Sequence, residues 1–337
     1  MKRSTIWLTI ALSLLLLAAG CSSPGPEVVV YTSVDQPYAE PILAEFERET
    51  GIRVRPVYDV EASKTTGLVN RLLAETSSPR ADVFWSSEVV QMILLEERGV
   101  LAVYESPQAV DLLDQYQDPE GYWTGFAARA RAIIVNTDLV PASDFPRGLA
   151  DFLDPSRPGE SIAIAYPFFG TMATHAAALY ALQGPEAALG FFEELAGRGV
   201  RVVDGNSVVR DLVASGELAF GLTDTDDACG ALRRGEPVAV ILPDQDGPGT
   251  LVIPSTVALI ADSPNPEQGR ALIDYLLRPE TEEALVRAGY SHVPLHPDTS
   301  PPETCISGEV AAMEVDYHDL YDYFAVSQEH LRAVFLR

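Results

Sequence analysis

The sequence predicts an α/β protein of two lobes, each a mixed, mainly parallel sheet flanked by helices, joined by two crossing strands. Short apolar runs alternate with amphipathic helical stretches from residue 28 onward, the pattern of a mainly parallel sheet with helices on both faces. Long extended segments at 126–135 and 251–260 break that alternation twice, as a hinge of paired strands between lobes would. The 337-residue chain also exceeds the ~250–300 residues at which one hydrophobic core stops growing.

Each element follows from a local pattern. Val28-Val29-Val30-Tyr31 is a continuous apolar run, as in a strand buried on both faces. Tyr38, Ile42, Leu43 and Phe46 recur at helical spacing, and Gly51 stops that helix. Residues 52–57 alternate as a second strand. Leu68, Val69, Leu72 and Leu73 form one face of a helix over 64–75. A short strand at 81–85 precedes a helix marked by Val89, Met92 and Ile93 and stopped at Gly99. Past the first long extended segment, strands are expected at 161–165, 200–203, 218–222 and 238–242. Helices are expected at 172–182, 184–197 and 207–214. After the second extended segment come helices at 266–277 and 279–288. Leu320, Tyr321, Phe324, Leu331 and Phe335 make the last thirty residues helical.

The leader is the most informative short stretch. Lys2 and Arg3 precede an apolar run over 6–19, too short to span a bilayer comfortably, and small residues lead to Cys21. That order resembles a bacterial lipoprotein signal (residues 1–20), cut before a cysteine whose thiol carries lipid. The protein is then expected in the cell envelope, lipid-anchored at Cys21 on the extracytoplasmic side, with 21–27 as a short tether bearing Pro24 and Pro26. With 23 basic against 49 acidic residues, net −26, the surface repels nucleic acid. Of three cysteines, only Cys229 and Cys305 remain beyond the anchor. They are free to pair in an oxidising compartment, though nothing in the sequence shows that they meet. The count excludes a disulfide framework and a cysteine-rich metal site. His292 and His296 are four apart, but Pro294 between them argues against a helix aligning them as zinc ligands.

In open α/β sheets ligands sit beyond the carboxyl ends of the strands, and the loops there carry an ordered set of motifs. Val30-Tyr31-Thr32-Ser33, Thr50-Gly51-Ile52, Ala81-Asp82-Val83-Phe84-Trp85 and Gly205-Asn206-Ser207-Val208 together resemble the extracellular solute-binding proteins of ABC importers. The subgroup they resemble contains the ferric-ion-binding proteins, whose relatives also take up phosphorylated or phosphonate compounds and thiamine. The resemblance implies the two-lobed type II periplasmic-binding fold, with lobe 1 from 28–129 and 251–300 and lobe 2 from 130–250. The helical segment 301–337 is expected on lobe 2. It further implies a monomer that closes on a solute, docks on a membrane permease with its ATPase subunits, and catalyses nothing. The implied cargo is an iron(III)-type metal complex with a synergistic anion. The alternative is a phosphorylated, phosphonate or organic-cation solute.

Candidate site residues follow. Thr223-Asp224-Thr225-Asp226-Asp227 follows an expected strand where the resembling iron proteins place two adjacent tyrosine ligands; Thr225 and Asp226 stand there instead. Carboxylates suit hard cations or an ammonium group, so Asp224 and Asp226 are candidate metal ligands. So is Asp35, at the resembling family's histidine position, and so is Glu88, one residue beyond its glutamate position, which Ser87 holds. Asp35 is equally readable as a helix cap, and so is one of the loop aspartates, though three aspartates in five residues exceed the need of one cap. Gly170-Thr171 and Asn206-Ser207 precede helices, where backbone N–H groups make a ready anion site and where the resembling family holds phosphate or carbonate. Ser33 lies after the first strand. Arg129 and Arg131 share one face of the first crossing strand, placed either for an anion or for a surface or interlobe salt bridge with one of the many acidic residues. Tyr31, Trp85 and Tyr166 are read as cleft lining or core. A rival reading from another class is an extracellular hydrolase using paired carboxylates such as Asp224 and Asp226.

Overall fold

The structure is a computed structural model that describes residues 25–59, 65–300, 305–306 and 310–336; the leader, Cys21 and most of the tether lie outside the described residues. β1 (Glu27–Thr32), with Val28 and Val30 fully buried, runs parallel to β2 (Arg53–Tyr58) on one side and β3 (Val83–Ser86) on the other. Helices α1 (Gln36–Thr50), α2 (Thr66–Glu75) and α3 (Val90–Glu97) fill the connections. Pro37 opens α1, and Gly51 closes it at φ 70°, a left-handed position that glycine takes without Cβ strain.

A second unit repeats this plan. β6 (Ile162–Ala165) is parallel to β7 (Arg201–Val203) and β8 (Phe220–Asp224), connected through α4 (Gly170–Gln183), α5 (Pro185–Gly197) and α6 (Asn206–Ala214). α7 (Thr225–Arg233) and β9 (Val238–Ile241) follow. Each unit has its own apolar core. Phe46, Phe84, Trp85 and Leu276 sit in the first, and Phe152, Phe192 and Phe220 in the second.

The two long extended segments are β5 (Thr124–Asn136) and β10 (Val252–Ile260), and they pair antiparallel with each other. Including them, the strand order is β2-β1-β3-β10-β5-β8-β6-β7, with β4 (Leu101–Ala102) on β10 and β9 on β5. All thirteen residues of β5 are buried, because it belongs to both units. Residues 124–130 pair with β10, while 131–136 pair with β8 and β9. The exchange of partners falls at Arg131, which lies directly across from Asp224. Pro254 occupies the register shift between Ile253 and Ser255, where a missing N–H is tolerated.

Helices α8 (Pro266–Leu276) and α9 (Pro279–Ala288) return to the first unit, and α10 (Tyr317–Phe335) ends the chain. The C-terminal helix packs on the second lobe, with Tyr323 and Phe335 against that core, and it reaches the first lobe as well. Its first turns place Tyr317 and Leu320 in the first core, and Leu331 enters the second. A nineteen-residue helix is ~28 Å long, enough to reach both. Cys229 and Cys305, left open by the sequence, are joined by a disulfide with Cα atoms 5.6 Å apart.

Candidate functional site

The carboxyl ends of β3, β6 and β8 and the middle of β5 converge on one buried cleft. Ser87, Arg129, Gly170, Thr171, Asn206 and Asp224 line it, and its free volume is only about 30 Å³. A larger cavity of about 1330 Å³ lies elsewhere, against residues 104–124 and 312–318.

The acidic stretch is not a loop. β8 runs through Asp224 and α7 begins at Thr225, because pairing with Arg131 extends the strand past its apolar residues. Asp224 occupies the cap position of α7, yet its side chain makes no capping bond. It accepts instead from Thr171 Oγ1 at 2.6 Å, from Asn206 Nδ2 at 3.0 Å and from the Arg131 guanidinium. The side-chain donors at the starts of α4 and α6 are thus turned onto an internal carboxylate. Gly170-Thr171 and Asn206-Ser207 lie inside the first turns of these helices rather than ahead of them.

Arg129 takes the other side of the same carboxylate pair. Its Nη1 reaches Asp226 at 3.2 Å and Asp224 at 3.5 Å, its Nη2 donates to the Ser87 carbonyl, and its guanidinium lies 5.0 Å from the Tyr290 ring centroid. Arg131 extends to the second unit, donating to Nδ1 of His175 at 3.3 Å and to Thr171 at 3.1 Å. Both arginines are buried, so these are ion pairs in a low dielectric, where removing one partner costs far more than at a surface. Burial alone raises the Asp224 carboxyl, but Arg131 and Arg129 outweigh it and hold it below the usual carboxylate range. Burial, assisted by Arg131, drops His175 to about 3, so it is neutral.

Glu88 is fully enclosed at the head of α3. Its carboxylate accepts from the N–H groups of Val90 at 2.7 Å and Gln91 at 3.1 Å, and from Thr174 Oγ1 of α4 at 3.0 Å. Burial pushes it up to about 7 against those bonds. It is therefore a helix cap and a tie between the units. Ser33 and Ser87 are pinned to each other through their hydroxyls at 3.2 Å. Thr225 Oγ1 accepts from Ala130 N–H, and Thr223 Oγ1 donates to the Asn206 carbonyl at 3.1 Å; both are scaffold contacts. Asp35 precedes α1 without a side-chain capping bond, and its charge acts on Arg129. Ser207 is half-buried in the first turn of α6. Among the described residues, no three of Asp35, Glu88, Asp224 and Asp226 bring ligand atoms within 4.8 Å of one another.

Three contributors are absent from the sequence-based set. Thr174 and His175 carry a readable signal, since His175 is four residues beyond Thr171 and shares its helix face. Tyr290 carries none, because only the tertiary fold brings it beneath Arg129. Tyr31 and Trp85 belong to the core, and Tyr166 stacks on Phe168 at 5.7 Å.

A model described as bacterial extracellular solute-binding protein matches residues 31–283. The "Iron uptake protein A1" of Synechocystis is 26% identical over 276 residues, covering 79% of this chain and 75% of that protein. A "Putative 2-aminoethylphosphonate-binding periplasmic protein" of Salmonella typhimurium is 24% identical over 329 residues, covering 90% and 89%. Among solved structures, iron-bound HitA from Pseudomonas aeruginosa superposes with a TM-score of 0.81 at 20% identity, covering 92% of this chain and 99% of that one.

Proposed function

The chain belongs to the bacterial extracellular solute-binding protein family, and from that premise we propose that it is the receptor of an ABC importer, closing its two lobes on a small solute and handing it to a membrane permease and its ATPase subunits. A lipid on Cys21 would hold it at the membrane, where tethering raises its local concentration around the permease.

The favoured cargo is an iron(III)-type metal complex carried with an oxyanion. The relative named for iron uptake supports this, and the carboxylates of Asp226 and Asp35 are hard oxygen donors suited to such an ion. The observation that carries the reading is the donor set of Arg129, Arg131, Thr171 and Asn206, built into a strand and two helix starts and now gathered on Asp224 and Asp226. A cargo entering the cleft competes for those partners: its anion takes donors from Asp224, and its cationic part takes the released carboxylates. Such an exchange uses both halves of the site at once.

A second reading, an organic phosphate or phosphonate bearing an ammonium group, is favoured by one specific feature. Thr225 and Asp226 stand where a tyrosine pair would ligate iron, and Asp224 and Asp226 already face two buried arginines. Gentle purification followed by native mass spectrometry and elemental analysis separates the two. Stoichiometric iron with an anion is the expected result. A phosphorus-containing organic ligand without metal would replace it with the second reading. Turnover of glycosides or phosphoesters would overturn both.

A further inference from the structure

Away from the cleft, three segments distant in sequence bring metal-ligating side chains together. Glu96 stands at the end of α3, Asp118 in the loop ahead of β5 and His318 in the first turn of α10, with ligand atoms all within 4.8 Å of one another. We propose that Glu96, Asp118 and His318 form a binding site for a divalent transition-metal ion of the zinc class, which clasps the C-terminal helix to the first lobe.

Asp118 carries the argument. It is only 5% exposed, and its Oδ2 is fixed by the N–H groups of Glu120 at 3.0 Å and Tyr122 at 2.9 Å. Its buried Oδ1 has no hydrogen-bond partner and points to His318 Nε2, 3.6 Å away, which has none either. A buried carboxylate oxygen without a hydrogen-bond partner is costly unless a cation meets it. Glu96 is oriented by the Trp123 indole, which donates to its Oε2 at 3.1 Å. Ligands held from behind in this way are the usual support of a metal site. One imidazole and two carboxylates supply three nitrogen and oxygen donors of the kinds zinc accepts, with a fourth position left for water. That position has room, since Asp118, Trp123 and His318 line the 1330 Å³ cavity. An ion of charge two would balance the two neighbouring carboxylates when both are ionised.

The ion would bind across an informative joint. α10 inserts Leu320 into the first core and Leu331 into the second, so fixing its first turn fixes the element that touches both lobes. The test is calorimetric titration of the untagged protein with Zn²⁺ alone, together with melting curves and Co²⁺ absorption spectra. One equivalent is expected to bind and to raise the melting temperature by several degrees. His318→Ala and Asp118→Asn should each weaken that binding at least tenfold and abolish the thermal shift and the visible cobalt bands. The asparagine amide of D118N can still accept the two backbone bonds, so that variant serves if H318A fails to fold. The cleft variant Asp226→Ala should retain the site. Zinc binding that is undetectable, that is unchanged in H318A and D118N, or that is lost in D226A would overturn the proposal.

Discussion

Asp224 occupies two roles that a linear reading separates. As a residue between a strand and a helix it reads as a cap or a ligand; in the fold it neutralises two buried guanidinium groups. Asp224→Ala should therefore cost about 3–5 kcal/mol, the range for an orphaned buried charge, seen as a lower denaturant midpoint. Asp226→Ala should weaken a metal or cationic cargo at least tenfold in a calorimetric titration, and unchanged affinity would reduce Asp226 to a partner of Arg129. Glu88 gives a pH signature. Its folded value of about 7 lies above the ordinary carboxylate value. The folded state thus binds the proton more tightly, and stability is greatest below the unfolded value and lost as pH rises towards 7. The full loss is about 3 kcal/mol by linkage. Glu88→Gln keeps an acceptor for Val90 and Gln91 without a titrating proton. The difference in stability between wild type and variant should then grow from pH 4.5 to 7 and level off above. A flat difference across that interval would mean that Glu88 does not titrate there.

At the scale of elements, β5 decides the architecture, and its most constrained residue is Ala127. This alanine sits at φ 47°, a left-handed conformation disfavoured for a residue with Cβ. It is held there by Glu282 of α9, which is fully buried and accepts from the N–H groups of Ala127 at 2.7 Å, Leu295 at 2.8 Å and His296 at 2.8 Å. Glu282→Ala leaves three buried donors without an acceptor, each costing about 1–3 kcal/mol if no water replaces it. Thermal unfolding should show a loss of several kcal/mol, larger than for truncation of any exposed glutamate. The long extended segments and the helices were legible because periodicity and glycine stops are local. The end of β8 was not, since Thr223 and Asp224 are polar. They join the strand only because Arg131 and Ala132 lie opposite, and pairing is a tertiary event.

For the whole molecule, the disulfide and α10 act as staples around the two cores. The bond closes a loop with a sequence separation of 76, which by chain entropy restrains the unfolded state by about 4 kcal/mol. Reduction, or Cys305→Ser, should lower the melting temperature by roughly 5–10 °C. An unchanged melting temperature would show that the link constrains nothing the fold does not already fix. The sequence by itself determined the alternation of strands and helices, the two crossing segments, the acidic charge balance, and the strand ends where a site could form. These are matters of composition and period, readable a few residues at a time. Only the tertiary structure decided that Asp224 faces inward to Arg131 rather than capping α7, that Glu88 bridges to Thr174, that Tyr290 lies beneath Arg129, and that Cys229 meets Cys305. Such partnerships join residues tens to more than a hundred positions apart. Their free energy comes from taking charge and hydrogen-bonding groups out of water together, and no local pattern records which groups will share that burial.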